Sequence, residues 1–213
     1  MLSLSALLTV KTITNMTKTQ LNPRVSLLLS IVILVGTARL INASCLNPLS
    51  NFTPIGAMGL FGGTYFSQRW KAFAFPLLTL LFSDLIINGM IYDGKYGIMY
   101  SGWMYNYAIF AGIVLLGKVL MKKVNLQNFL LSGVAASVGF WLLVDFGVWF
   151  GGGLDIRTGG PLSRDLNGLI QCYIQGYPYM LNFLAGTLGY GAVMFGAIEF
   201  AKIKMPNIAF EQA

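Results

Sequence analysis

The sequence has no histidine, only two cysteines among 213 residues, and charged side chains at just 10% of positions. Each shortage excludes something. Without imidazole there is no Ser-His or Cys-His catalytic pair and no histidine metal site, and two cysteines cannot supply the four ligands of a structural zinc. A charged share of 10%, against about 25% in soluble domains, excludes an ordinary water-soluble fold. Seven acidic residues stand against 14 Lys and Arg, yet these 14 are scattered and form no stripe, so a net charge of +7 does not indicate a nucleic-acid partner.

What the chain has in abundance is apolar length. Hydrophobic residues make up 56% of it, and runs approaching the ~20 residues that cross a ~30 Å hydrocarbon core recur along it. The expected fold is therefore an all-α polytopic membrane protein whose first partner is the lipid bilayer. Runs bounded by charged or Gly/Pro-rich breaks give six expected transmembrane helices, at residues 25–41, 52–66, 72–91, 104–121, 129–150 and 177–200. The second is short and Gly-rich. A re-entrant segment is its alternative reading, but the polar turn Arg69-Trp70-Lys71 favours a full span. Residues 25–201 then form one transmembrane domain between an N-terminal tail, 1–24, and a C-terminal tail, 202–213. Met16 would serve equally well as a start.

With six spans, one set of connections holds Lys11, Lys18, Arg24, Arg69, Lys71, Lys118, Lys122, Lys123, Lys202 and Lys204, while the other holds Arg39, Lys95, Arg157 and Arg164. Ten against four predicts both termini in the cytoplasm, with the protein in the inner (plasma) membrane as a multi-pass chain.

Three motifs mislead. Gly112-Ile-Val-Leu-Leu-Gly117-Lys118 approaches a phosphate-binding loop, but Val119 replaces the required Ser or Thr inside an apolar helix. Asn42-Ala43-Ser44-Cys45 imitates a lipoprotein cleavage site, but Arg39 interrupts its apolar region. Gly59-x-x-x-Gly63 allows close helix packing, within the chain more readily than between chains. A bridge between Cys45 and Cys172 is open, with two unpaired thiols as the simpler reading.

Polar residues converge towards the outer side. Arg39 closes the first span, Asn51 opens the second with Thr53 and Pro54, Asp84 lies in the outward half of the third, and Asp145 sits near the outer end of the fifth. Asn182 falls about one turn into the sixth, expected to begin at Pro178. An ionisable group in the apolar region costs about 2.5 to 3.5 kcal/mol on insertion scales, so it faces the protein interior and marks a pathway or a bound group. An internal ion pair of Arg39 with Asp84 or Asp145, without any ligand, is the alternative. Eight of the ten tyrosines (92, 96, 100, 105, 107, 173, 177 and 179) also fall outside, either as a pocket wall or as an uneven aromatic belt. The long outer connection at 151–176 carries Leu162, Leu166, Leu169, Ile170 and Tyr173 at helical spacing, as an amphipathic lid helix would.

Asn51-Phe-Thr-Pro-Ile-Gly-Ala-Met-Gly-Leu-Phe-Gly-Gly-Thr-Tyr65, Ser83-Asp84-Leu-Ile-Ile87, Phe146-Gly-Val-Trp149, Gly168-Leu-x-x-Cys-Tyr173 and Pro178 resemble an uncharacterised family of small bacterial membrane proteins usually labelled as transport proteins. The similarity runs from about Arg39 to Phe200. This chain departs from it with Asp145 where Asn is expected and with a longer outer segment at 159–164. More distantly, the layout resembles the substrate-binding components of energy-coupling-factor vitamin transporters, though only Ser26-x-x-x-Ser30 approximates their docking stripe.

The resemblance implies uptake of a small, vitamin- or micronutrient-like solute captured on the outer side, with a nucleotide-hydrolysing coupling partner. Asp84 and Asp145 would accept hydrogen bonds from it or bind its cation, Arg39 would neutralise or clamp an acidic group, Asn51 and Asn182 would orient it, and rings such as Trp149 would supply area. No cofactor and no catalytic residue is expected. The alternative is a non-transporting accessory subunit of a membrane complex. An enzyme fits least, because Asp84 and Asp145 lack the flanking patterns of intramembrane aspartyl proteases.

Overall fold

Apolar runs separated by short polar breaks dictate helices joined by turns. The computed structural model describes residues 23–44, 49–95 and 97–204, and among them there are six helices and no strand, only an isolated bridge between Leu154 and Pro161. They are α1 (Pro23–Ser44), α2 (Ile55–Tyr65), α3 (Arg69–Ile86, prolonged by a π turn at Ile87–Ile91), α4 (Trp103–Leu120), α5 (Leu126–Phe150) and α6 (Leu166–Lys204). Most of both expected tails, with Met16, Cys45 and Tyr96, lies outside the described residues.

Four helices are long and apolar enough to cross a membrane: α3 with its π turn, α4, α5 and α6. In α1 the described apolar stretch, Ser30–Ala43, is shorter. The outer surface carries Phe82, Leu115, Val119, Leu131, Phe150 and Val193 in exposed positions. In water so much apolar area would drive association, whereas hydrocarbon accommodates it.

The second expected span is shorter than expected. α2 has 11 residues, so it is about 16 Å long, roughly half a hydrocarbon core. All 11 are buried, because α3, α4, α5 and α6 surround it. It is a central pillar with no lipid-facing side, and six helices do not amount to six spans by their own length. Four of its residues are glycine, a composition that costs roughly 1 kcal/mol each in an isolated helix. Here the missing side chains let backbones meet. A Cβ on Gly63 would collide with the Val114 carbonyl and lie 2.7 Å from the Lys118 amide, and one on Gly117 would lie 2.9 Å from the Leu60 Cα. The Gly59-x-x-x-Gly63 spacing is thus spent inside the chain, against α4.

Rings fill the remaining space. Phe61 packs on Tyr65 at 4.7 Å and on Phe195 at 5.6 Å, and Phe129 meets Phe195 at 5.6 Å. At this end the Tyr65 hydroxyl donates to Glu199 Oε1 at 2.6 Å, and Lys202 Nζ reaches the same oxygen at 2.8 Å. The ends of α2 and α6 are thereby tied together. Arg69, Lys71, Lys118, Lys122 and Lys123 follow from the same end of the bundle, and Arg39, Lys95, Arg157 and Arg164 belong to the other.

The last helix also differs from expectation. It does not begin at Pro178 but runs unbroken from Leu166 for 39 residues, about 58 Å, with Pro178 inside it. The segment expected as a separate lid is its first part. Asp165 starts it, its Oδ1 accepting from the Gly168 amide at 2.8 Å and from the Ser163 hydroxyl at 2.7 Å. Cys172 on this stretch is buried, with its thiol 3.2 Å from the Asp145 carbonyl oxygen and no disulfide among the described residues.

Candidate functional site

At the end opposite the Tyr65–Glu199 tie, α1 and α3 bring together two charges that neither could bury alone. Arg39 Nη2 meets Asp84 Oδ1 at 2.6 Å, with only 4% of Asp84 exposed. Arg39 Nη1 donates to the Leu80 carbonyl at 3.3 Å and to the Ser83 hydroxyl, which in turn donates to the Thr79 carbonyl at 2.8 Å. From α4 the Tyr107 hydroxyl donates to Asp84 Oδ2 at 3.0 Å. Both carboxylate oxygens are therefore occupied by charge-assisted or hydroxyl donors, the condition under which a buried ion pair is tolerated.

Beside this pair lies a cavity of about 520 Å³. Phe110, Phe140 and Phe183 form its apolar part, with Phe140 and Phe183 stacked at 4.5 Å. Its polar lining includes Arg39, Asp84, Asn51, Asn88, Asn106 and Tyr100. Asn88 belongs to the π turn, where the Tyr92 amide reaches back to the Ile87 carbonyl at 3.0 Å; the wider turn places both Ile87 and Asn88 in the cavity wall. The Tyr100 hydroxyl receives the Asn106 amide at 3.4 Å, and burial followed by the Asp84 charge raises its pKa, so it stays protonated. The rim is a turn closed by the Phe52 amide on the Leu49 carbonyl at 2.8 Å. Asn51 sits in it at φ 69°, a left-handed conformation that Asn tolerates better than most residues. Asn42 ties the turn to α1 by donating to the Leu49 carbonyl at 3.0 Å and the Phe52 carbonyl at 3.2 Å.

Residues 19–208 match a family model described as a family of unknown function, DUF6580. The chain belongs to DUF6580. No curated protein and no solved structure matches it. Membership supplies a family and no activity.

Of the six residues singled out from sequence, the DUF6580 protein brings Arg39, Asn51 and Asp84 into the cavity wall and leaves Asp145, Trp149 and Asn182 outside it. Asp145 faces α6: a Cβ on Gly176 would run into its carboxylate, and its Oδ2 is buried without a hydrogen-bond partner among the described residues. Trp149 Nε1 donates to the Ser163 carbonyl at 2.9 Å and fixes the loop between α5 and α6. Asn182 Nδ2 donates to the Ser50 carbonyl at 2.9 Å, supporting the rim from behind. Nor does the segment 151–176, expected as a lid, roof the cavity, since none of its residues lines it. That segment folds on itself through Asp155, whose amide donates to the Gly160 carbonyl at 2.8 Å and whose carboxylate pairs with Arg157 at 2.7 Å.

Asn88 and Asn106 escaped the sequence reading, while Tyr107 entered it only as one of eight tyrosines and Ser83 only within a motif. Asn88 had a signal, because it follows Asp84 by four residues and so shares its helical face. Asn106 and Tyr107 are adjacent at the start of α4, where one faces the cavity and the other the carboxylate, a choice that depends on helix rotation. Among the described residues no three His, Cys, Asp or Glu group closely enough to hold a metal.

Proposed function

We propose that this DUF6580 protein binds a small solute in the cavity beside Arg39 and Asp84 and passes it across the inner membrane, with the cavity opening to the outer side and both termini in the cytoplasm. The observation that carries the reading is the cavity itself: about 520 Å³, one wall of phenyl rings, the other of amides and hydroxyls. Such a mixed lining, mostly preformed, is how small-molecule sites are built. Because Arg39 and Asp84 neutralise each other, the lining offers no net charge, and the matching solute is neutral or zwitterionic with a flat apolar face. Asn88, Asn106 and the Tyr100 hydroxyl supply its hydrogen bonds. The role is binding and translocation, with the energy supplied by a nucleotide-hydrolysing partner; Gly112 and Gly117–Lys118 lie in the regular turns of α4, so this motif forms no phosphate-cradling loop.

Native mass spectrometry of gently extracted protein tests this. A small molecule retained by the parent and lost from Asn88→Leu and Asn106→Leu, both still folded, is the expected result. A second reading, a non-transporting accessory subunit, is favoured by one feature: Arg39, Asp84, Ser83 and Tyr107 already satisfy one another without a ligand. Retention of a protein subunit and of no small molecule would establish that reading instead.

A further inference from the structure

A second concavity, of about 300 Å³, lies at the opposite, basic end between the start of α3 and the end of α4. Ala72, Phe73, Val114 and Leu115 give it apolar walls, and Arg69 and Lys118 are its charged lining. Among the described residues neither cation has an acidic partner, since the ion pairs are Arg39–Asp84, Arg157–Asp155 and Lys202–Glu199. α3 starts here with no acidic residue in its first turn and no side-chain cap, so the positive end of its backbone adds to the two side chains. Beside the groove Trp70 is 68% exposed, with Lys71 Nζ 5.5 Å from its ring centre, as in an aromatic residue seated at headgroup depth. The concavity is thus apolar along two helices apolar enough to face hydrocarbon and cationic where they end. We propose that it binds an anionic phospholipid, with an acyl chain against Phe73 and Leu115 and the headgroup phosphate held by Arg69 and Lys118. A soluble anion would leave the apolar walls uncovered. A zwitterionic lipid would bring its own ammonium towards two unpaired cations.

The site is independent of the solute cavity and stands whether or not that cavity carries a solute. Native mass spectrometry of the full chain, titrated with phosphatidylglycerol and with phosphatidylcholine of identical acyl chains, tests it. One phosphatidylglycerol should bind more tightly than any phosphatidylcholine. Arg69→Gln with Lys118→Gln should weaken that binding roughly 30-fold, the worth of two basic residues beside an anionic headgroup. Lys122→Gln with Lys123→Gln, which removes the same charge from the same end but outside the groove, should leave it intact. Leu115→Trp keeps every charge and fills the groove from an exposed position, so it should also weaken binding if folding of the Gln pair fails. Excess glycerol phosphate should displace nothing. Unchanged binding in the Arg69/Lys118 pair or in Leu115→Trp, equal loss in the Lys122/Lys123 pair, or displacement by glycerol phosphate would each overturn the proposal.

Discussion

Asp84 and Asp145 raise the same alarm in a sequence, a carboxylate in an apolar run, and meet opposite fates. Asp84 has a guanidinium and a hydroxyl on its two oxygens. Asp145 has one oxygen buried against α6 without a partner among the described residues. Asp84→Asn should therefore strand the Arg39 charge and cost about 3 to 5 kcal/mol, while Arg39→Gln combined with Asp84→Asn should recover most of it. Asp145→Asn, which removes an unpaired charge, should leave the melting temperature unchanged or raise it. Thermal unfolding of the three variants in one detergent decides the matter; a fall in Asp145→Asn as large as in Asp84→Asn would mean that Asp145 has a counter-charge of its own. The energetic signal that betrays both aspartates is depth-dependent and carries no direction around the helix. That is why depth alone groups all five polar residues, although Asp145 faces α6 and Asn182 reaches the back of the rim turn through the Ser50 carbonyl.

Two elements show what a hydropathy pattern measures and what it misses. Residues 72–91, 104–121 and 129–150 correspond closely to α3 with its π turn, α4 and α5, because polar or Gly-rich breaks end each run. α2 has the same apolar composition but owes it to burial by protein on every side, which hydropathy cannot distinguish from burial by lipid. Its environment is testable through glycine. Gly63→Ala and Gly117→Ala would each press a methyl group into backbone and should destabilise by about 1 to 3 kcal/mol, whereas Gly112→Ala, with nothing within 4 Å, should be neutral or gain up to about 1 kcal/mol in helix propensity. Equal effects at all three sites in thermal unfolding would contradict the tight α2–α4 contact. Pro178 misled for a different reason: inside a packed apolar bundle a proline is tolerated, so it did not end α6. The start of α6 is held by groups that acid should disable. The Gly168 amide and Ser163 hydroxyl keep the Asp165 carboxyl below the usual carboxylate range, and Arg157 does the same for Asp155. A folded-state pKa that is depressed stabilises fully above the unfolded value, near 3.9, and the contribution disappears as pH falls through the folded one. Amide protection of residues 153–168, corrected for intrinsic exchange, should hold from neutrality down to about pH 4 and be lost below it. Asp165→Asn should remove that acid dependence from the first turn of α6.

At the scale of the whole molecule, charge asymmetry and cavity position carry one argument between them. The end tied by Tyr65, Glu199 and Lys202 gathers the larger basic set, and the cavity lies at the other end, beside Arg39 and Asp84. If basic residues stay in the cytoplasm, the cavity must face outward, and a solute would enter it before crossing. Two consequences follow that need no knowledge of the solute. A reporter fused after Phe210 should be active only in the cytoplasm. Single cysteines at Lys95 and Arg157, both exposed at the cavity end, should react with a membrane-impermeant thiol reagent on intact cells, while cysteines at Lys71 and Lys122 should react only after permeabilisation. Because α2 is too short to cross by itself, the Lys71 site tests more than orientation: it lies in the first turn of α3, just after α2, and its side depends on whether α2 with its flanking residues carries the chain from one face to the other. Labelling of Lys71 and Lys95 positions from the same side would mean that α3 does not cross either, and would remove the basis for an outward-facing cavity. Labelling from opposite sides, with Lys95 outside, fixes the direction in which a bound solute would have to move.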